Sequence, residues 1–292
     1  MNKVPVTAQI CIFGAAFMIG LIATSACGSL LATIDMAERT RYLILSVLQA
    51  VLAFSLPSFI VATFGHKGMI GTLSLNKCPS LKAILGVIIS FAIGYIMLNQ
   101  IIYWNDSMKL PAGLSEFEQY IRGMEDMARS TAETLLAVNS IFGLLINVLV
   151  IGVITGFAEE IFFRAGLQRL LSKALTNYWA VWVSALIFSA VHFQFYGFVP
   201  RMLLGAFFGY LYVWTGSIWV SVFAHALNNS VVVIIDWMLN QGIISGNPEY
   251  IGVAEHGFPT YAMISAVLFI VFIGYGRKRF FNKTKRQLSK YF

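Results

Sequence analysis

Charge is what this sequence has least of. Only 11% of its residues are Asp, Glu, Lys or Arg, against roughly 25% in soluble domains, while 58% of its 292 residues are hydrophobic. So little polar surface cannot cover a water-soluble globule, and the fold class expected is an all-α polytopic membrane protein, one integral domain over 1–292. Cysteine is also scarce. Cys11, Cys27 and Cys78 are odd in number and contain no CxxC, which excludes a disulfide framework and a cysteine metal site. No internal repeat or pair of broken helices is visible, which counts against an inverted-repeat carrier. The surplus of positive charge, +7, does not point to nucleic acid, because seven of the twenty basic residues lie within 277–292. That stretch reads as a cytoplasmic tail facing anionic lipid.

What is abundant is long apolar runs. Eight are expected to cross a membrane, at about Ala8–Ile34, Tyr42–Phe64, Leu81–Trp104, Asn139–Leu171, Tyr178–Phe195, Arg201–Trp214, Ile218–Leu239 and Pro259–Tyr275. The first passes Thr24-Ser25-Ala26-Cys27 without stopping and is too long for a signal h-region, so it reads as a retained span. The segment 105–137 breaks the pattern with Asp106, Glu116, Glu118, Glu125, Asp126 and Glu133, and from Leu114 onward reads as an amphipathic helix lying on the outer interface. With both termini inside, Lys3, Lys67, Lys77, Lys82, Arg169 and Lys173 fall on the cytoplasmic side, as the positive-inside rule requires. The location expected is the cell membrane of a bacterium.

The fourth run carries Glu159, Glu160 and Arg164 within six residues. Ionised groups at membrane depth cost roughly 2.5 to 3.5 kcal/mol each on insertion scales, so they need a partner or a task. Glu160 and Arg164 are four apart and share a helix face, whereas Glu159 turns about 100° away. Arg164 is thus expected to support Glu160, leaving Glu159 to face a cavity. His192 lies fifteen residues after Asn177 and Glu159 thirteen before Ser172, so an antiparallel hairpin places both at one depth. His225 and Asn229, four apart, point the same way on the seventh run. A carboxylate and a histidine can activate water, and a histidine with an amide can stabilise an oxyanion. Glu159, His192 and His225 can instead bind Zn2+, although Asn229 has no obvious place among zinc ligands. No HExxH, GxGD or GxSG motif is present. Asp236, near the outer end of its run, reads as an interfacial carboxylate.

The ordered set EExxxR, FxxxH and HxxxN, at Glu159–Arg164, Phe188–His192 and His225–Asn229, resembles the CPBP family of intramembrane proteases, which includes CaaX prenyl endopeptidases and bacterial Abi proteins of bacteriocin processing and self-immunity. The resemblance covers about Phe142–Leu239, within a motif-bearing core at 139–239. It implies an eight-helix core, water activation by Glu159 and His192, an oxyanion hole from His225 and Asn229, and support from Glu160 and Arg164. It also implies a membrane-associated or lipidated peptide as substrate, and a mechanism that is either glutamate-dependent or metal-dependent. The alternative is a non-proteolytic membrane protein, an immunity factor, scaffold or ion-coupled transporter, that uses the same polar cluster.

Overall fold

A computed structural model describes residues 4–246 and 248–281. The basic tail beyond Phe281 lies outside the described residues. Nine principal helices are present among them, and no strand: α1 (Val6–Ala32), α2 (Glu38–Ala62), α3 (Leu81–Asp106), α4 (Ser115–Leu136), α5 (Ile141–Leu171), α6 (Asn177–Ala190), α7 (Phe198–Thr215), α8 (Ile218–Asn240) and α9 (Thr260–Phe280). Six of them, α1, α2, α3, α5, α8 and α9, are long and apolar enough to cross a membrane. The expected fifth and sixth spans are shorter. At 14 and 18 residues they extend about 21 and 27 Å, against a hydrocarbon core of about 30 Å.

Local sequence explains several boundaries. Ser80, Ser140 and Thr176 cap α3, α5 and α6 by accepting from Ala83, Gly143 and Trp179 backbone N–H groups. α7 stops at Gly216, whose φ of 60° needs no Cβ penalty to be accepted. α2 and α5 contain π-helical turns at Ala50–Ser55, Val148–Ile154 and Ile161–Gln168, the last of which directly follows the two glutamates. Such turns are uncommon and recur at functional sites.

α5 is the axis of the bundle. Phe162 and Phe163 on it join Phe13, Phe54 and Phe188 in one buried aromatic cluster, so α1, α2 and α6 pack around it. α8 approaches on another side because α5 carries glycine there. A Cβ at Gly156 would lie 3.2 Å from Ala226 N, and one at Gly152 would collide with Ser230 Oγ. The Gly152-x-x-x-Gly156 spacing thus lets two backbones meet, as small residues do between membrane helices. The start of α1, the 65–77 loop, the α5–α6 turn and the α7–α8 turn gather at one end of the bundle. α4 and the 191–197 loop meet at the other.

One boundary differs from the sequence expectation in a way that matters. α6 ends at Ala190, so His192 lies in a turn rather than within a span. His192 and Phe193 N–H groups bond back to Ser189 and Ala190 carbonyls, and Phe193 adopts φ 53°. A left-handed bulky residue is rarely tolerated and breaks the helical path.

Candidate active site

Glu160 is completely buried on α5 and receives two partners on one oxygen. Arg164 Nη1 lies 3.0 Å from Glu160 Oε1, and His225 Nδ1 lies 2.8 Å from the same atom. A carboxylate can only accept, so His225 donates through Nδ1 and directs Nε2 elsewhere. Nε2 stands 3.7 Å from Glu159 Oε2, a separation that suits a shared water better than a direct bond. Arg164, 1% exposed, donates through Nη2 to Gly205 O at 2.7 Å, and its guanidinium lies over the Phe188 ring at 4.9 Å. Gln168, one turn further on, repeats the pattern by donating to Gly209 O.

The histidine rings are fixed by aromatics. Phe208 stacks on His225 at 5.0 Å between centroids. Phe188 makes T-shaped contacts with both His225 at 5.8 Å and His192 at 5.1 Å. His192 Nδ1 is 2.7 Å from Phe188 O and must donate to it, which again leaves Nε2 as the outward nitrogen. Asn229 Nδ2 donates to Ile151 O at 3.3 Å and its Oδ1 accepts from Asn228.

The structure therefore brings Glu160, Arg164 and His225 into direct contact and places Glu159 3.7 Å from His225. His192 and Asn229 stand beside this group, and neither makes a hydrogen bond or ion pair with Glu159 among the described residues. The hairpin arithmetic paired Glu159 with His192, but the nearer histidine is His225. Asp236 accepts from Asn240 one turn away, apart from the site. For Zn2+, both histidines present an unblocked Nε2 with Nδ1 anchored, the usual arrangement of a ligating imidazole. Yet no three His, Cys, Asp or Glu side chains among the described residues are grouped closely enough to hold an ion. Glu159 and His225 approach to 3.7 Å while His192 makes no ion pair with Glu159, so the set does not fit without movement.

Sequence reasoning missed the parts that hold the His192 turn. Asn105, at the end of α3, donates to Phe195 O and accepts from Val199 N. Glu125 accepts from Tyr196 N, and Glu118 accepts from the Tyr196 hydroxyl. Arg122 lies over the Tyr196 ring at 4.0 Å. α4 thus clasps the turn as well as presenting Phe117, Tyr120 and Met127 outward. The Gly152-x-x-x-Gly156 spacing is a close-approach signal legible in the sequence.

The fold and site define a polytopic α-helical membrane protein with a buried carboxylate, histidine and arginine centre. Residues 141–231, about a third of the chain, match the Rce1-like family, described as type II CAAX prenyl endopeptidase Rce1-like, a match that spans the three motifs at Glu159–Arg164, Phe188–His192 and His225–Asn229. The chain is 29% identical over 118 residues to the Bacillus subtilis (strain 168) protein named "Putative membrane peptidase YdiL", covering 40% of this chain and 47% of that protein. It is 28% identical over 89 residues to "Uncharacterized protein YpbD" of the same organism, covering 29% of this chain and 43% of that one. The matched stretch thus spans less than half of either relative. No solved structure matches.

Proposed function

We propose that this protein is an intramembrane endopeptidase that hydrolyses a peptide bond of a membrane-associated or lipidated peptide. The observation that carries the reading is His225, bonded through Nδ1 to the Arg164-paired Glu160 and facing Glu159 through Nε2. A water between Glu159 Oε2 and His225 Nε2 gives up its proton to Glu159 as its oxygen attacks the scissile carbonyl carbon. The oxyanion accepts from the Asn229 amide, and His192, in ring contact with Phe188, presents Nε2 to the substrate. Glu159 then delivers the proton to the leaving amine. Glu160 and Arg164 do not touch the substrate; they fix the ring that does the positioning.

The basic end of the bundle faces the cytoplasm of a bacterial cell in this proposal, and both termini lie there. The test compares membrane and secreted peptides from cells carrying wild type or Glu159→Gln at matched expression, followed by the purified proteins on the peptide so identified. Wild type is expected to generate new termini, and Glu159→Gln to lose about 10²- to 10⁴-fold in rate. Identical peptide sets would overturn the protease reading in favour of a binding or transport role. Chelator treatment of the active protein decides the metal question: loss of activity restored by Zn2+ would recruit Glu159, His192 and His225 as ligands, and retention leaves the glutamate to act alone.

A further inference from the structure

A cavity that none of Glu159, Glu160, His192 and His225 lines opens at the basic end of the bundle with a volume of about 730 Å³. Gln9, Thr72, Gln168, Arg169, Lys173 and Tyr212 contribute to its wall, and no Asp or Glu does among the described residues. Arg169 Nη1 donates to Thr72 O at 3.3 Å, and Lys173 Nζ donates to Gln9 Oε1 at 2.7 Å. Both acceptors are neutral, so these bonds aim the cations without neutralising them. Burial and the nearby Arg169 charge both push the Lys173 ammonium below the usual lysine range. Two like charges four residues apart in a partly enclosed, acid-free cavity repel each other, and an anion between them would replace that repulsion with two charge-assisted hydrogen bonds.

We propose that this cavity binds a phosphoryl group, carried either on the headgroup of an anionic lipid or free in solution. A planar guanidinium matches two phosphoryl oxygens at once, and an ammonium adds a point charge beside it. The volume exceeds what a lone phosphate fills and lies in the range of organic ligand sites. Val4, Val6, Phe64 and Val213 supply apolar wall beside the cations, as a headgroup with its glycerol would need. None of the described residues from 277 onward lines the cavity, and the site does not depend on the protease reading.

The experiment measures thermal unfolding of the purified full chain in zwitterionic detergent, titrated separately with short-chain phosphatidylglycerol, short-chain phosphatidylcholine and inorganic phosphate. Saturable stabilisation by phosphatidylglycerol but not by phosphatidylcholine supports the site with a lipid source. Equal saturable stabilisation by inorganic phosphate supports it with a free source. The Arg169→Gln/Lys173→Gln double variant is expected to raise the apparent Kd at least tenfold. Lys173→Gln alone, at an exposed position, is expected to raise it at least threefold and decides the matter should the double variant fail to fold. Arg277→Gln/Lys278→Gln, away from the cavity, is expected to leave Kd unchanged. Absence of saturable stabilisation by both phosphatidylglycerol and inorganic phosphate, equal stabilisation by the net-neutral phosphatidylcholine, or an unchanged Kd in Lys173→Gln would overturn the proposal.

Discussion

Glu160, at 0% exposure, is held in place by compensation more than by attraction. Removing one member of a buried charge pair leaves the other without solvent or partner, which costs about 3–5 kcal/mol, whereas removing both is often nearly neutral. Arg164→Leu is therefore expected to destabilise the protein by about that amount in reversible detergent unfolding. Adding Glu160→Leu is expected to recover much of the stability and none of the activity, because His225 Nδ1 then loses the carboxylate that fixes its ring. Glu159 carries no comparable structural duty, since its ion-pair contact among the described residues is the 3.7 Å approach to His225. Glu159→Gln is expected to unfold within about 1 kcal/mol of wild type, because the amide is isosteric and Glu159 has no ion pair as short as those of Glu160 to lose, while losing catalysis. Similar destabilisation by both Glu159→Gln and Arg164→Leu would make the whole cluster structural.

At the scale of elements, the meeting of α5 and α8 sets how close Glu159 comes to His225. Gly156 faces the Ala226 backbone, which cannot give way as a flexible side chain could. Gly156→Ala is expected to cost about 1–3 kcal/mol by overpacking and to lower kcat by moving the two helices apart. Gly123 on α4 has open space around it, so Gly123→Ala is expected to be neutral or stabilising by up to about 1 kcal/mol. The α4 clasp also carries a pH dependence. Glu118 is held below the usual carboxylate range, first by the Leu110 backbone N–H it accepts and then by Arg122. A depressed folded-state pKa means that the contribution is fully present above the unfolded-state value and is lost as pH falls through the folded one. Amide exchange at Tyr196–Val199 is therefore expected to accelerate as pH drops below the normal glutamate range, after correction for intrinsic exchange rates. Glu118→Gln is expected to flatten that dependence.

For the whole molecule, the connections gather at two ends, one basic and one bearing the acidic α4. In a background with Cys11, Cys27 and Cys78 replaced by Ser, Leu175→Cys in the α5–α6 turn is expected to react with an impermeant thiol reagent only from the cytoplasmic side. Tyr120→Cys on α4 is expected to react only from the opposite side. Labelling of both from one side would overturn the assigned orientation.

Composition and periodicity sufficed for the membrane class, the apolar helices and the amphipathic nature of α4, because these depend on solvent preference and on repeats within a few residues. The four-residue spacing from Glu160 to Arg164 likewise made their pairing readable, since neighbours on one helix face are fixed by local geometry alone. Which histidine stands beside Glu159 was not readable. That choice rests on the local end of α6 two residues before His192 with its left-handed Phe193, and on the glycines that let α8 close upon α5. The last is a contact between segments distant in sequence, and helical arithmetic carries no term for how closely two helices pack.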